Sequence, residues 1–180
     1  PTKGQFYRFN VIVIAIISLL STGSSFALEL VREEFISLAF HDLEIHERRA
    51  YLGTTYGISN FNIDDSLSAQ SIEHFELWSA KYLTWFDNIL VTTGMGCFDI
   101  NSVRIHNDNS LSVIDRIDSG SLIRGKPAKY RNFLYGAADR DGILVIEVDE
   151  NGMLNHVNTI NDPVGRALNV GVFDNILITS

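Results

Sequence analysis

Apolar positions along most of this chain come in short β-branched or aromatic runs closed by Gly, Asp or Asn. In Ile143-Leu144-Val145-Ile146-Glu147-Val148 the alternation and the residue types are those of a strand, not of a helix. Turns are marked by Asp139-Arg140-Asp141-Gly142 and by Glu150-Asn151-Gly152, whose residues accept tight or left-handed backbone.

The pattern repeats. Phe86-Asp87-Asn88-Ile89-Leu90-Val91-Thr92-Thr93 matches Phe173-Asp174-Asn175-Ile176-Leu177-Ile178-Thr179-Ser180, 87 residues further on, with the first five positions identical. Arg131-Asn132-Phe133-Leu134-Tyr135-Gly136-Ala137 fits the same slot halfway between, and Arg49-Ala50-Tyr51-Leu52-Gly53-Thr54 fits it upstream. Taking Tyr51, Leu90, Leu134 and Leu177 as equivalent gives spacings of 39, 44 and 43 residues. The second half of each unit recurs as well. Gly57-Ile58-Ser59-Asn60-Phe61-Asn62-Ile63-Asp64 compares with Gly142-Ile143-Leu144-Val145-Ile146-Glu147-Val148-Asp149, and Ser110-Leu111-Ser112-Val113-Ile114-Asp115 is a looser version.

A period of about 40–45 residues with about four short strands per unit is that of a β-propeller blade. The expected fold is therefore all-β: blades of four antiparallel strands packed face to face, forming part of an incomplete β-propeller. Approximate units run over 38–80, 81–125 and 126–166, with 167–180 truncated; residues 120–129 are read as a basic, flexible link. A β-sandwich has to treat the five-residue identity as chance.

The stretch from Asn132 to Ala137, continued by Gly142 to Val157, resembles a blade of the YVTN/lactonase-type β-propellers, with its strand, polar turn, strand and D-x-x-G-x-L phrase at Asp149-Glu150-Asn151-Gly152-Met153-Leu154. The likeness is good over 131–160, fair over 82–118 and weak over 38–77. Gly136 departs from it, in what is read as the innermost strand. The resemblance implies a seven-bladed ring, of which this chain would hold about three to four blades, and it implies architecture before function. The family includes sugar-lactone hydrolases, but no run here matches their catalytic positions.

Ahead of the repeats, Lys3 and Arg8 precede the apolar run Val11-Ile12-Val13-Ile14-Ala15-Ile16-Ile17-Ser18-Leu19-Leu20 and a small-residue tail ending Ser25-Phe26-Ala27. That layout is a secretory signal peptide over residues 1–27, expected to be helical and cleaved after Ala27; an uncleaved membrane anchor is the rival. The apolar run is about half of the roughly twenty residues that a spanning helix needs. The mature chain is thus expected outside the cytoplasm, secreted or periplasmic, with the cell surface a further location. The chain begins at Pro1 and stops inside an apolar run, so we read it as a fragment.

Charge excludes some partners. The net charge is −8, and because phosphate binding needs clustered Lys and Arg, that acidic balance argues against nucleic acid and anionic membrane surfaces. The single thiol, Cys97, is read as a small core residue; no sequence feature ties it to His106, the nearest histidine.

Candidate chemistry is sparse. Asp87 and Asp174 recur, and recurrence favours a turn role over catalysis. Asp139 and Asp141 could offer oxygens to Ca²⁺, but the run lacks the further carboxylates of such a loop and reads as a hairpin turn. None of His41, His46, His74, His106 and His156 pairs at a metal-binding helical spacing. The pair His41-Asp42 is the one to watch, as it could lie at a blade edge near the channel. Trp78, Tyr82 and Trp85 read as an aromatic cluster in the inter-blade core, with a sugar platform the alternative. No nucleophile elbow, phosphate loop or dinucleotide fingerprint occurs.

No catalytic, binding or metal residue is assigned, and no cofactor. The expected role is a scaffold binding an unidentified protein or small molecule; the alternative is a lactonase-like hydrolase of a sugar lactone. Uncovered blade faces and edges should make these 180 residues assemble or aggregate when expressed alone. Size-exclusion chromatography with light scattering checks this, and a monodisperse, cooperatively melting monomer would contradict it.

Overall fold

The computed structural model describes residues 40–63, 69–78, 80–94, 99–161 and 165–180. Residues 1–27, Asp64, Leu67 and Cys97 lie outside them. The described residues form strands, turns and links; none is helical, and no helix among them is long and apolar enough to cross a membrane.

Three sheets of four antiparallel strands follow one another. The first holds β1 (Phe40–His46), β2 (Arg49–Thr54), β3 (Gly57–Ile63) and β4 (Ala69–Glu76). The second holds β5 (Tyr82–Phe86), β6 (Ile89–Thr93), β7 (Asp99–Ile105) and β8 (Leu111–Asp118). The third holds β9 (Ala128–Tyr130), β10 (Phe133–Ala137), β11 (Ile143–Val148) and β12 (Leu154–Ile160), and the hairpin of β13 (Val170–Phe173) and β14 (Ile176–Thr179) comes last. Every sheet is a meander in sequence order, so its chain enters and leaves at the same end. This is the fold expected from the repeat.

The repeated turn has a physical cause. Glu47, Asp87, Arg131 and Asp174 each open a two-residue loop between the first two strands of a sheet, and each has φ near +50°. Loops this short follow the strand twist only with left-handed residues, which Asp and Asn tolerate well. Counted from this turn, Ala50 rather than Tyr51 is the equivalent of Leu90, Leu134 and Leu177, which corrects the alignment by one residue. The phrase also lies on the second strand of each sheet, not the innermost. Gly136 sits on β10, with Ile123 nearest to where a side chain would project.

Burial explains the stacking. All five residues of β6 are buried, and the two faces of the sheet serve different cores. Leu83, Leu90, Val103 and Leu111 pack with Tyr51 and Ile58 of the first sheet. Phe86, Ile89, Val91 and Ile100 pack with Leu134, Leu144 and Ile146 of the third. Ala137 and Ile143 continue the stack onto Val170 and Leu177 of the hairpin. A fully buried aliphatic side chain contributes about 1.5–3 kcal/mol, so these interfaces dominate the stability.

The link before the third sheet is not the flexible tether that its composition implies. Ile123 is fully buried, Gly125 and Pro127 are buried, and Arg124 and Lys126 both form ion pairs. The buried Ile123 and the ion pairs of the two basic residues that follow it seat the link.

The D-x-x-G-x-L phrase is a turn with a wedge. Asp149 Oδ1 accepts hydrogen bonds from Asn151 N at 2.9 Å and Met153 N at 2.8 Å. Gly152, at φ +88°, then presses against the second sheet, where an added Cβ would meet Ile114 at 2.5 Å and Ile89 at 3.0 Å. Gly152→Ala therefore combines left-handed strain with overpacking and should lower stability by roughly 2–4 kcal/mol, read by thermal or chemical denaturation.

Candidate functional site

The ends of the sheets differ. One carries the turns between first and second and between third and fourth strands. The other carries the remaining turns and the links between sheets, and the ion pairs of Asp42, Glu44 and Asp139 lie there.

Asp42 is central to this link end. It stands near the start of β1, where a bulge separates Phe40 from the regular register. Its carboxylate accepts the Leu83 amide of β5 at 2.9 Å and meets Lys126 Nζ at 2.8 Å. Lys126 also pairs with Glu44. One carboxylate thus ties the first sheet to the second and to the lead-in of the third, 84 residues away in sequence. Burial alone would lower the Lys126 pKa, but its hydrogen bonds and charge interactions with Asp42 and Glu44 outweigh that and hold it above 10.5. His41, beside Asp42, is exposed and within 3.1 Å of Thr55 Oγ1. Burial, then the charge of Lys81, keeps its pKa below the ordinary 6.5. Of the watched pair, only Asp42 joins the sheets.

Asp139 builds a second knot. It turns at φ +55° between β10 and β11, and its backbone bridges to Ala167 in the link before β13. Its carboxylate accepts Arg124 Nε at 3.1 Å, with Arg166 Nε 3.4 Å from the other oxygen. The hydrogen bond from Arg124, more than any other interaction, holds Asp139 below the ordinary carboxylate value. Asp141 instead accepts from Ser121 Oγ at 2.8 Å. The two carboxylates considered for Ca²⁺ are thus bound to different partners. Among the described residues no three His, Cys, Asp or Glu side chains gather in a way that would hold a metal ion.

The recurring Asp87 and Asp174 are exposed turn residues, away from these knots. The remaining histidines scatter. His74 Nδ1 lies 2.8 Å from Ser59 Oγ, and His156 meets Asn158 and Thr159 on β12. His46 and His106 come together at the opposite end, on the wall of one cavity. The aromatic triplet does not form a core cluster. Trp78 is 64% exposed, Tyr82 is half-buried, and of the three only Trp85 packs into the core between the first two sheets. The Asp42–Lys126 and Asp139–Arg124 pairs were missed in the sequence; the signal available was an apolar Ile123 followed closely by two basic residues.

The comparisons bear on the fold. No protein-family model matches the chain, and no curated protein does. Solved structures do. A protein from Bacteroides fragilis assigned as a 6-phosphogluconolactonase is 16% identical with a TM-score of 0.63, over 79% of this chain and 47% of that one. A protein from Lactobacillus plantarum is 12% identical with a TM-score of 0.61, over 74% of this chain and 44% of that one. The computationally designed Ika4 protein is 19% identical with a TM-score of 0.61, over 86% of this chain and 92% of that one. The chain therefore spans less than half the length of the two natural neighbours.

If the Lys126 knot staples the sheets, Lys126→Gln should lower stability by about 1 kcal/mol at low salt, with the difference shrinking at high salt. Because the folded-state pKa of Lys126 is raised, that contribution is complete below 10.5 and is lost as pH climbs through the raised value. Asp139 has the opposite sign: its lowered pKa contributes stability above 3.8, lost as pH falls below it. Melting curves of wild type, Lys126→Gln and Asp139→Asn across pH check both windows. The likeness to solved structures at low identity establishes architecture alone: the described residues are blades of a β-propeller.

Proposed function

We propose that this chain acts as an exported β-propeller scaffold that holds a protein or small-molecule ligand. One observation carries the reading: at the link end, Asp42, Glu44 and Asp139 are each paired with a cation that comes from another strand or link. A hydrolase needs a carboxylate or imidazole free to take a proton near neutral pH. Asp139, held low by Arg124, is a poor base, and Asp42 is committed to Lys126 and a backbone amide. Export draws its support from the basic head, apolar run and small-residue tail of residues 1–27. On this reading the protein acts in the periplasm or medium, or at the cell surface.

The competing reading, hydrolysis of a sugar lactone, draws only on the lactonase-like fold, and fold does not transfer chemistry. Incubation with a panel of sugar lactones separates the two. The scaffold reading expects ring opening no faster than in buffer. Turnover above that background, abolished by Asp42→Asn or Asp139→Asn in protein that still melts cooperatively, would overturn it.

A further inference from the structure

The cavity that brings His46 and His106 together lies at the turn end, where the first two sheets meet. It has a volume of about 250 Å³. The turn after β1, the turn after β5 and the turn between β7 and β8 bound it, and His46, Tyr51, Trp85, Asn88, His106 and Asn109 are among its walls. Trp85 stands in its aromatic side, with the His46 ring 4.4 Å away at a 31° tilt and Tyr51 edge-on at 5.2 Å.

Trp85 Nε1 and Asn109 Oδ1 lie behind this wall, both buried and without a hydrogen-bond partner in the protein. The polar side chains that border the open space are others: Asn88 and Asn107 line the cavity and are exposed.

The third sheet provides an internal control. His106 N bonds to Ser110 O and Asn109 N to His106 O, as Asp149 N bonds to Met153 O and Gly152 N to Asp149 O. His106 and Asn109 are therefore the counterparts of Asp149 and Gly152. Asn109, at φ +77°, repeats the left-handed geometry of Gly152 at +88°. At the interface of the second and third sheets, Gly152 is packed tight against Ile89 and Ile114. At that of the first and second, a polar amide takes its place beside open space. The backbone is conserved between the turns, while the chemistry is not.

We propose that this cavity binds a neutral sugar ring, one monosaccharide unit, with its hydroxyls on the exposed asparagine amides and its carbon face against the aromatic wall. This deepens the scaffold reading, on which it rests, by naming its site and ligand class. Asparagine amides suit hydroxyls because each both donates and accepts. The lining offers one carboxylate, Glu47, and one guanidinium, Arg49, so its fixed acid and base balance and no ion of either sign is selected. The volume is slightly below the roughly 300–1,000 Å³ of drug-sized sites, as a single ring requires.

The chain has two tryptophans, and Trp78 is exposed. Trp78→Phe leaves Trp85 as the sole indole, and its emission reports the cavity. The chain at sub-micromolar concentration is titrated with glucose, galactose, mannose and N-acetylglucosamine, with glucuronate and inorganic phosphate as ionic probes. A saturable change with at least one neutral sugar is expected, weakened about tenfold by His46→Ala or Asn107→Ala at unchanged circular dichroism. Both substituted residues are exposed, and if one variant loses its fold the other decides. No saturable change with any neutral sugar, saturation by glucuronate or phosphate alone, or a response that survives both substitutions would overturn the site. Lactone turnover in a protein that still gives the sugar response would overturn the scaffold reading and leave the cavity standing.

Discussion

A sheet that is apolar on both faces has nowhere to stand except between two others, and the second sheet is such a sheet. Ile89 and Val91 look toward the third sheet while Leu90, between them, looks toward the first. The usual alternation of apolar and polar positions is replaced by alternation between two cores. Each blade interface then has to be completed by a neighbour, which is why the chain stacks its meanders instead of closing one core. The constraint is felt where it is not met: Phe173, Ile176 and Ile178 of the last hairpin are 67%, 61% and 55% exposed.

Apolar faces set distance but tolerate sliding, so alignment between sheets falls to directional bonds at their margins. Asp42 accepts the Leu83 amide across the first interface, and Asp115 accepts the Leu154 amide at 2.9 Å across the second. Tyr130 reaches Asn175 across the third. In the first two, one carboxylate takes up a backbone amide of the following sheet, a charge-assisted bond stronger than a neutral one. The charges of the link end are therefore explained as alignment, with Lys126 and Arg124 compensating the carboxylates that alignment requires.

Much of the architecture was legible because it rests on local rules. A two-residue turn needs left-handed residues, so Asp-Asn recurs and gives the period away. The D-x-x-G-x-L phrase combines a side chain that caps its own turn with a glycine that a neighbour's Ile89 and Ile114 press upon. What was not legible depends on residues far apart. Lys126 meets Asp42 across two interfaces, and in the sequence it stood among small residues that suggested a loose link. The one-residue error at Tyr51 has a similar origin, since burial and turn position disagree there and only the strand pairing decides. Trp78 and Trp85 are close in the chain, yet the link end exposes one and the core takes the other.

The repeat also sorts structural residues from candidates for function. A side chain that recurs at equivalent positions, as Asp87 and Asp174 do, serves a demand that every blade makes. A binding site is made once, so its residues should be those that break the repeat while the backbone keeps it. His106 and Asn109 meet that criterion against Asp149 and Gly152, because the hydrogen bonds of the two turns coincide and only the side chains differ. Trp85 meets it too: the equivalent position on β9, counted back from the turn, is Lys129, which lies over the Phe86 ring at 4.6 Å. Where the later interface closes its gap with aliphatic and cationic side chains, the earlier one keeps an indole, an imidazole and amides around open space. Departures from a repeat that keep its backbone but leave open space between two blades are the places where a scaffold of interchangeable blades becomes specific.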